Sequence, residues 1–119
     1  MSEVIQKTLV SASTTTGTKT HVDVRGLDEW NVFVSATGGT SAAFQIEVTT
    51  DPAGTRGWAA AGMRAPGGGA YATTAVTVNA GNGASAFVSP DDAVSWVRIN
   101  VTANTGPSTV NSYLTGVTA

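Results

Sequence analysis

The stretch over residues 95–103 constrains the fold of this chain more than any other. Its order Ser-Trp-Val-Arg-Ile-Asn-Val-Thr-Ala places Val97, Ile99 and Val101 on one face and polar residues on the other. Strict period-two alternation indicates a half-buried β-strand, with one face in a core and the other toward solvent or a partner. Residues 44–49 have the same rhythm, and residues 30–35 nearly share it. We interpret the three runs as inner strands of an all-β domain.

Further alternating runs and turn sequences extend this pattern along the chain. The other runs are at residues 4–12, 20–25, 71–80, 84–88 and 110–117. Segments rich in Gly, Pro, Asp or Asn separate the runs, at residues 37–40, 51–54, 66–69, 81–83, 89–92 and 104–108. No segment carries the i, i+3, i+4, i+7 apolar stripe of a helix. The sequence therefore predicts an all-β fold: a single antiparallel β-sandwich, jelly-roll or Ig-like, of about eight short strands.

The length of 119 residues is that of one domain, so we expect residues 1–119 to form a single β-sandwich domain. Residues 1–6 are predicted to be a short N-terminal arm. The glycine-containing segment at residues 37–40 is a hairpin signal between two alternating runs. It predicts that residues 30–36 and 42–50 pair with each other as antiparallel neighbours.

Composition excludes several classes of function. The chain has no cysteine and a single histidine, so thiolate and histidine-cluster metal sites are not expected. Charged residues make up 12% of the chain and the formal net charge is −2, which argues against binding to a phosphate backbone. The N-terminus lacks the features of a signal peptide, and no window reaches the length of a membrane span. We expect synthesis in the cytoplasm, no cofactor, no metal, and no nucleic-acid or membrane partner.

Catalysis has one candidate residue pair. His21 and Asp23 are two apart on a predicted strand and so share a face, but a hydrolytic triad also needs a serine from elsewhere. We expect no enzymatic activity, and a small hydrolase that uses His21 is the competing hypothesis.

The aromatic and arginine residues are the candidates for binding. Trp30 has the parity of the apolar residues and is predicted to lie in the core, whereas Trp96 shares the outer face with Arg98 and can stack on its guanidinium. Trp58 and Tyr71 are candidates for a glycan-stacking platform. Arginine and tryptophan are both enriched at interface hot spots. The candidate partner-contact residues are Val4, Ile5, Arg56, Trp58, Arg64 and Arg98.

Three segments carry a resemblance to a known type of protein. They read Val-Asp-Val-Arg-Gly-Leu from Val22, Phe-Gln-Ile-Glu-Val-Thr-Thr-Asp from Phe44, and Trp-Val-Arg-Ile-Asn-Val-Thr-Ala from Trp96. Together they resemble small β-sandwich structural proteins of tailed-bacteriophage virions, including capsid decoration (cement) proteins and tail- or fibre-associated modules. The usual Ser/Thr-x-Asp-Gly-x-x-Trp pattern is matched in kind by Thr49, Asp51 and Trp58, although Pro52-Ala53 separates the Asp from its Gly.

The resemblance implies a virion location and a structural function. As a decoration protein, the chain would bind the major capsid protein on the outer surface of the shell and associate with copies of itself as a homo-trimer or homo-dimer. The alternative is a tail- or fibre-associated module, with glycan binding through Trp58 and Tyr71.

Overall fold

Eleven strands form the part of the chain that the structure, a computed structural model, describes: residues 3–64, 70–88 and 94–118. Seven of these strands have four or more residues: β1 (Val4–Ser13), β4 (Leu27–Thr37), β5 (Ser41–Thr49), β8 (Val76–Asn79), β9 (Gly83–Val88), β10 (Trp96–Thr105) and β11 (Thr109–Thr118). Four have two residues each: β2 (Gly17–Thr18), β3 (Val22–Asp23), β6 (Ala59–Ala60) and β7 (Met63–Arg64).

The strands form two antiparallel sheets. Sheet 1 has the order β1-β11-β4-β9-β7. Sheet 2 has the order β2-β10-β5-β6, with β3 also paired to β10 and β8 also paired to β5. Because β2 and β3 occupy successive stretches of one edge of β10, they act as one interrupted strand.

The connections between the sheets make this sandwich a jelly roll. The chain changes sheet at every connection except those from β2 to β3 and from β5 to β6. Counting β2 and β3 together, β1-β11-β4-β9 faces the four-strand series β2/β3-β10-β5-β8. This is the eight-strand double-sheet arrangement of a jelly roll. The predicted all-β antiparallel sandwich is confirmed, and the jelly-roll alternative is the one that the strand order supports.

The core lies between the inner faces of the two sheets. Val32, Val34 and Leu114 project from sheet 1, and Phe44 and Ile99 project from sheet 2, each with 1% or less of its surface exposed. Every alternate residue of β10 from Val97 to Val101 is buried in the same way. Burial of apolar surface at about 25 cal/mol per Å² makes this layer the main source of stability.

The buried hydroxyl groups of Thr49 and Ser112 donate hydrogen bonds to backbone carbonyl groups. Thr49 Oγ1 donates to the carbonyl of Arg56 at 2.6 Å, and Ser112 Oγ donates to the carbonyl of Phe33 at 2.9 Å. Among the described residues, no buried side-chain nitrogen or oxygen atom lacks a hydrogen-bond partner. Burial of these polar groups therefore carries little of the usual desolvation penalty.

The predicted pairing of residues 30–36 with residues 42–50 is wrong. β4 pairs with β11 and β9 in sheet 1, and β5 pairs with β10 in sheet 2. The segment between them is a corner at which the chain crosses from one sheet to the other. Gly38 and Gly39 have φ angles of 67° and 59°, so glycine was needed there as predicted, but for a crossover.

The predicted N-terminal arm is also corrected. Val4 to Thr8 pair in continuous register with β11, from Val4 opposite Val117 to Thr8 opposite Tyr113, so residues 4–6 belong to a strand. Residues 1 and 2 lie outside the described residues, as do the predicted turns at residues 66–69 and 89–92. The predicted strands over 20–25 and 71–80 are shorter than expected: they contain β3 and β8, and Ala72 forms an isolated bridge with Met63.

Four loops that connect the two sheets meet at one end of the sandwich and are joined by hydrogen bonds. Thr40 N donates to the Thr105 carbonyl at 2.8 Å, and Ala80 N donates to the Thr40 carbonyl at 2.9 Å. Ser108 Oγ donates to the Gly38 carbonyl at 2.8 Å, and Asn104 Nδ2 donates to the Thr14 carbonyl at 3.1 Å. The four loops therefore stabilise the change of sheet jointly.

Two adjacent glycines give a test of this corner. A Cβ on Gly39 would lie 2.6 Å from the backbone carbonyl carbon and oxygen of Pro107, whereas a Cβ on Gly38 would meet nothing within 4 Å. Both residues have positive φ, so Gly38→Ala should cost about 1 kcal/mol of unfolding free energy and Gly39→Ala about 3 kcal/mol or more. Urea denaturation measures both values, and equal costs would contradict the packed corner.

Candidate functional site

The outer face of sheet 2 carries the side chains that alternate with the core residues of β10. Trp96, Arg98 and Asn100 point outward and are half-buried. On β5, Thr49 lies opposite Trp96, and Glu47 lies opposite Arg98. Cross-strand pairs on one sheet face lie about 5 Å apart, so this register brings Arg98 and Glu47 into direct contact.

Glu47 is the anion that fixes Arg98. The Arg98 Nε–Glu47 Oε1 distance is 2.7 Å, and the two side chains are 21% and 17% exposed. Asn100 Nδ2 donates to the other oxygen, Oε2, at 3.2 Å. Both carboxylate oxygens are therefore engaged, so Asn100 holds Glu47 in place and Glu47 in turn orients the guanidinium of Arg98.

The turn after β5 closes over this face. The Asp51 carboxylate accepts hydrogen bonds from the amides of Ala53, Thr55 and Arg56. These N–H donors lower the pKa of Asp51 below its ordinary value, the bond from Ala53 having the largest effect. Gly54 N closes the turn on the Asp51 carbonyl at 3.0 Å. The sequence Asp-Pro-Ala-Gly thus folds locally for reasons of turn chemistry alone.

Trp96 is the residue on which this turn packs. A Cβ on Gly54 would lie 3.0 to 3.1 Å from the indole ring, so only glycine allows the backbone to approach so closely. The indole Nε1 donates to the Pro52 carbonyl at 2.9 Å. Arg25 lies over the ring, with 5.2 Å from Cζ to the centroid, and His21 meets it edge-on at 4.9 Å between centroids.

Trp58 completes the group from the far end of the same loop. The Cζ atom of Arg98 lies 4.1 Å from the centroid of its ring, which is cation–π geometry. His21 lies 5.7 Å from the same ring, centroid to centroid, at an interplanar angle of 55°. We refer to Arg25, Trp96, His21, Trp58 and Arg98 as the aromatic–arginine cluster. In it, His21 lies between the two indoles and each indole carries one arginine.

The Arg25–Asp23 pair forms the border of the cluster. Arg25 Nη2 lies 2.7 Å from Asp23 Oδ2, and both the side chain and the backbone N–H of Arg25 donate to the carboxylate. These bonds lower the pKa of Asp23 from 3.8 to about 2. Asp23 therefore stays ionised over the whole neutral and mildly acidic range and holds Arg25 over Trp96.

The chemistry of the cluster suits contact with a macromolecular partner. It presents two half-buried indoles, an exposed imidazole and two guanidinium groups, the residue types that are enriched at interface hot spots. The described residues contain no group of three or more His, Cys, Asp or Glu side chains that could hold a metal ion. The His21 ring packs on the two indoles, and the Asp23 carboxylate is engaged by Arg25.

The structure brings together two of the predicted contact residues, Trp58 and Arg98. Arg56 is exposed on the same loop, where Asp51 and Thr49 bind its backbone. Arg64 lies elsewhere: it is on β7 in sheet 1, where its Cζ atom is 5.1 Å from the ring centroid of Tyr71. Arg64 therefore lies on the other sheet, apart from Trp58 and Arg98.

The remaining predictions for aromatic and edge residues have mixed outcomes. Trp30 packs against the core and Trp96 lies on the outer face, both as predicted. The guanidinium over Trp96 belongs to Arg25, and Arg98 covers Trp58. Val4 is 75% exposed and Ile5 is half-buried.

The predicted platform of Trp58 and Tyr71 is not assembled. Trp58 contacts residues of sheet 2, and Tyr71 contacts Arg64. Arg64 also lines a groove of about 610 Å³ with Phe33, Met63 and Val76, in which it is the one charged residue among the described lining residues. The groove is thus a separate feature from the aromatic–arginine cluster.

The sequence analysis did not predict that His21, Arg25 and Glu47 lie close to Trp58 and Trp96. A signal was present, since His21 and Arg25 share the outward parity of their run and Glu47 alternates with buried Ile46 and Val48. The alternation does not show that β3 pairs with β10, and this pairing is what places residues 21–25 beside Trp96.

Comparison with known proteins adds one likeness. Neither the known family models nor the curated proteins contain a match to the chain. Among solved structures it is similar to the SPBc2 prophage-derived protein YomS, with a TM-score of 0.70 over 97% of this chain and 95% of that one. The two sequences are 16% identical, so the likeness establishes a shared fold. No helix in the described ranges is long and apolar enough to cross a membrane.

The Asp23–Arg25 pair makes a prediction about pH. A lowered pKa means that the ionised carboxylate stabilises the folded state above about pH 4, and this contribution is lost as the pH falls toward 2. Because the pair is partly exposed, Asp23→Asn should lower Tm by only about 2–4 °C at pH 7 and by less than 1 °C at pH 2. Asp28→Asn, at an exposed position on β4, is the control for loss of one charge. A deficit that persisted at pH 2 would contradict the ion-pair explanation.

Proposed function

We propose that this chain is a non-enzymatic structural protein of a bacteriophage virion, of the capsid decoration type. It binds the outer surface of the shell, in contact with the major capsid protein, and stabilises the shell by the area that it covers. The aromatic–arginine cluster is the centre of that contact, and the surrounding outer face of sheet 2 is its rim.

The observation that carries the proposal is the fold likeness to a prophage-derived protein over nearly the whole of both chains. The jelly roll is also an architecture that viral capsid proteins use. Three sequence segments that resemble phage virion proteins contribute strands β3, β5 and β10, which together support the cluster.

The cluster supports a protein partner through its composition and its rigidity. Its arginines are oriented by Glu47 and Asp23, so little side-chain freedom remains to be lost on binding. A half-buried tryptophan under a fixed guanidinium offers a flat surface for aromatic, amide or carboxylate groups. The low charge of the chain further favours a face that is covered in an assembly.

A binding experiment on particles tests the proposal. Particles that lack the protein are prepared by deletion of its gene, and purified chain is added back at increasing concentration. We expect saturable binding to the capsid at a fixed number of copies per capsomer. We also expect a rise in the temperature at which the shells release their genome, because the added contacts stabilise the shell.

Variants of two aromatic residues distinguish the cluster from the rest of the surface. Trp58→Ala should weaken binding to the shells about tenfold or more, because truncation of a central aromatic typically costs 2 kcal/mol or more. Tyr71→Ala, which removes an aromatic ring that pairs with Arg64, should bind like the unchanged chain. Circular dichroism verifies that both variants are folded.

Three outcomes would contradict the proposal. Binding to tails or fibres alone would favour the tail-associated module, and binding to no particle would remove the virion function. Equal binding by the Trp58 and Tyr71 variants would reject the cluster as the contact surface while leaving decoration in place.

A further inference from the structure

The long edge strand β1 has one side without a partner among the described residues. β1 has ten residues and pairs with β11 alone. The strands at the other sheet edges have two to four residues. Unpaired backbone N–H and C=O groups along an exposed edge are a template for pairing with another strand.

The hydrogen bonds at the start of β1 show which backbone groups face away from β11. Thr118 N donates to the Glu3 carbonyl at 2.9 Å, and Glu3 N donates to Thr118 Oγ1 at 2.8 Å, so the backbone of Glu3 faces β11. In an antiparallel pair this orientation alternates with every residue. The N–H and C=O groups of Val4, Gln6 and Thr8 therefore point away from the sheet, and their side chains are exposed.

A bulge limits the usable length of this edge. The register with β11 is continuous from Val4 to Thr8 and shifts between Thr8 and Val10, and again between Val10 and Ser13. Within the irregular part Ala12 has a φ of 48°, and its amide donates to Asn111 Oδ1 at 2.8 Å. Bulges twist an edge strand away from further pairing. The competent segment is thus residues 4–8, with Gln6 at its centre.

We propose that residues 4–8 bind the same segment of a second copy of this chain, as antiparallel neighbours about a twofold axis at Gln6. Val4 then faces Thr8 of the second copy, Gln6 faces Gln6, and Thr8 faces Val4. Each of these three positions exchanges two N–H···O=C bonds, which gives six in all. Sheet 1 of one copy continues into sheet 1 of the other. This inference does not depend on the proposed virion function.

The side chains of the segment fit a second copy on both faces. On the outer face, Val4 (75% exposed) meets the Thr8 side chain and loses apolar surface to water. On the inner face, half-buried Ile5 lies opposite the aliphatic stem of Lys7. The Lys7 ammonium group donates to the Asp23 carbonyl of its own chain, so it is directed into its own sandwich. Because both copies use the same segment, the contact closes at two chains.

The oligomeric state of the purified chain tests this proposal. Sedimentation equilibrium should show a weak monomer–dimer equilibrium. Gln6→Pro removes an N–H that points away from β11 and should raise the dimer dissociation constant about tenfold or more, since two bonds at the axis are lost. Gln6→Ala keeps the backbone donor and is the matched control, with a change of about twofold or less. A chain that stays monomeric at about 1 mM, or a dimer insensitive to Gln6→Pro, would overturn the proposal.

A cross-linking experiment gives a second measurement that does not depend on proline. The chain has no cysteine, so Gln6→Cys introduces a single thiol at the proposed axis. Residues directly opposite each other in a hydrogen-bonded antiparallel pair have Cα atoms about 5.5 Å apart, within the range of a disulfide. Under mild oxidation this variant should form a covalent dimer at least about tenfold faster than Thr16→Cys, an exposed loop control. Equal rates for the two thiols would reject the pairing at Gln6.

Discussion

The whole molecule depends on the two-sided burial of β10. Its inward residues Val97, Ile99 and Val101 have 1% or less of their surface exposed and meet the inner face of sheet 1. Its outward residues Trp96 and Arg98 carry the aromatic–arginine cluster. Because side chains of a strand alternate with a period of exactly two residues, a slip of one residue would exchange these sets. The burial of the core therefore sets the geometry of the surface site.

The elements of the fold could be predicted from the sequence, but the partners of the strands could not. The alternation of apolar and polar residues identified β1, β4, β5, β9, β10 and β11, because each half-buried strand shows this alternation within its own sequence. The Thr-Gly-Gly-Thr segment indicates only that the chain turns. A crossover between sheets uses the same positive φ angles as a hairpin, so the segment does not distinguish the two. The sheets are decided by long-range pairing, such as that of β4 with β11, which the local pattern does not encode.

The candidate site shows the same division. The sequence alone predicted that Trp96 and Arg98 lie on the outer face and that the chain turns at residues 51–54, because both features depend on residues close together in the chain. The cluster itself depends on two longer-range events: β3 pairs with β10, and the turn packs Gly54 against Trp96. Residues 1–6 were predicted to be an arm, but residues 4–6 begin an edge strand, in which Val4 and Gln6 are exposed and Ile5 between them is half-buried.

Two surfaces of the molecule suit two different kinds of association. The cluster on sheet 2 has fixed side chains suited to a specific partner, and the β1 edge of sheet 1 offers backbone groups suited to a second copy. The two surfaces belong to different sheets, so one chain can use both in an assembly. A shell protein that binds both coat and neighbour gains affinity through effective concentration without any further contact.

Cryo-electron microscopy of phage particles to which the purified chain has been added is the sharpest test of the proposed capsid contact. We expect density for the jelly roll on the outside of the capsid, with Trp58 and Arg98 within contact distance of a coat subunit. Density confined to the tail or fibres, or capsid density in which the outer face of sheet 2 is turned to solvent, would reject the proposed contact.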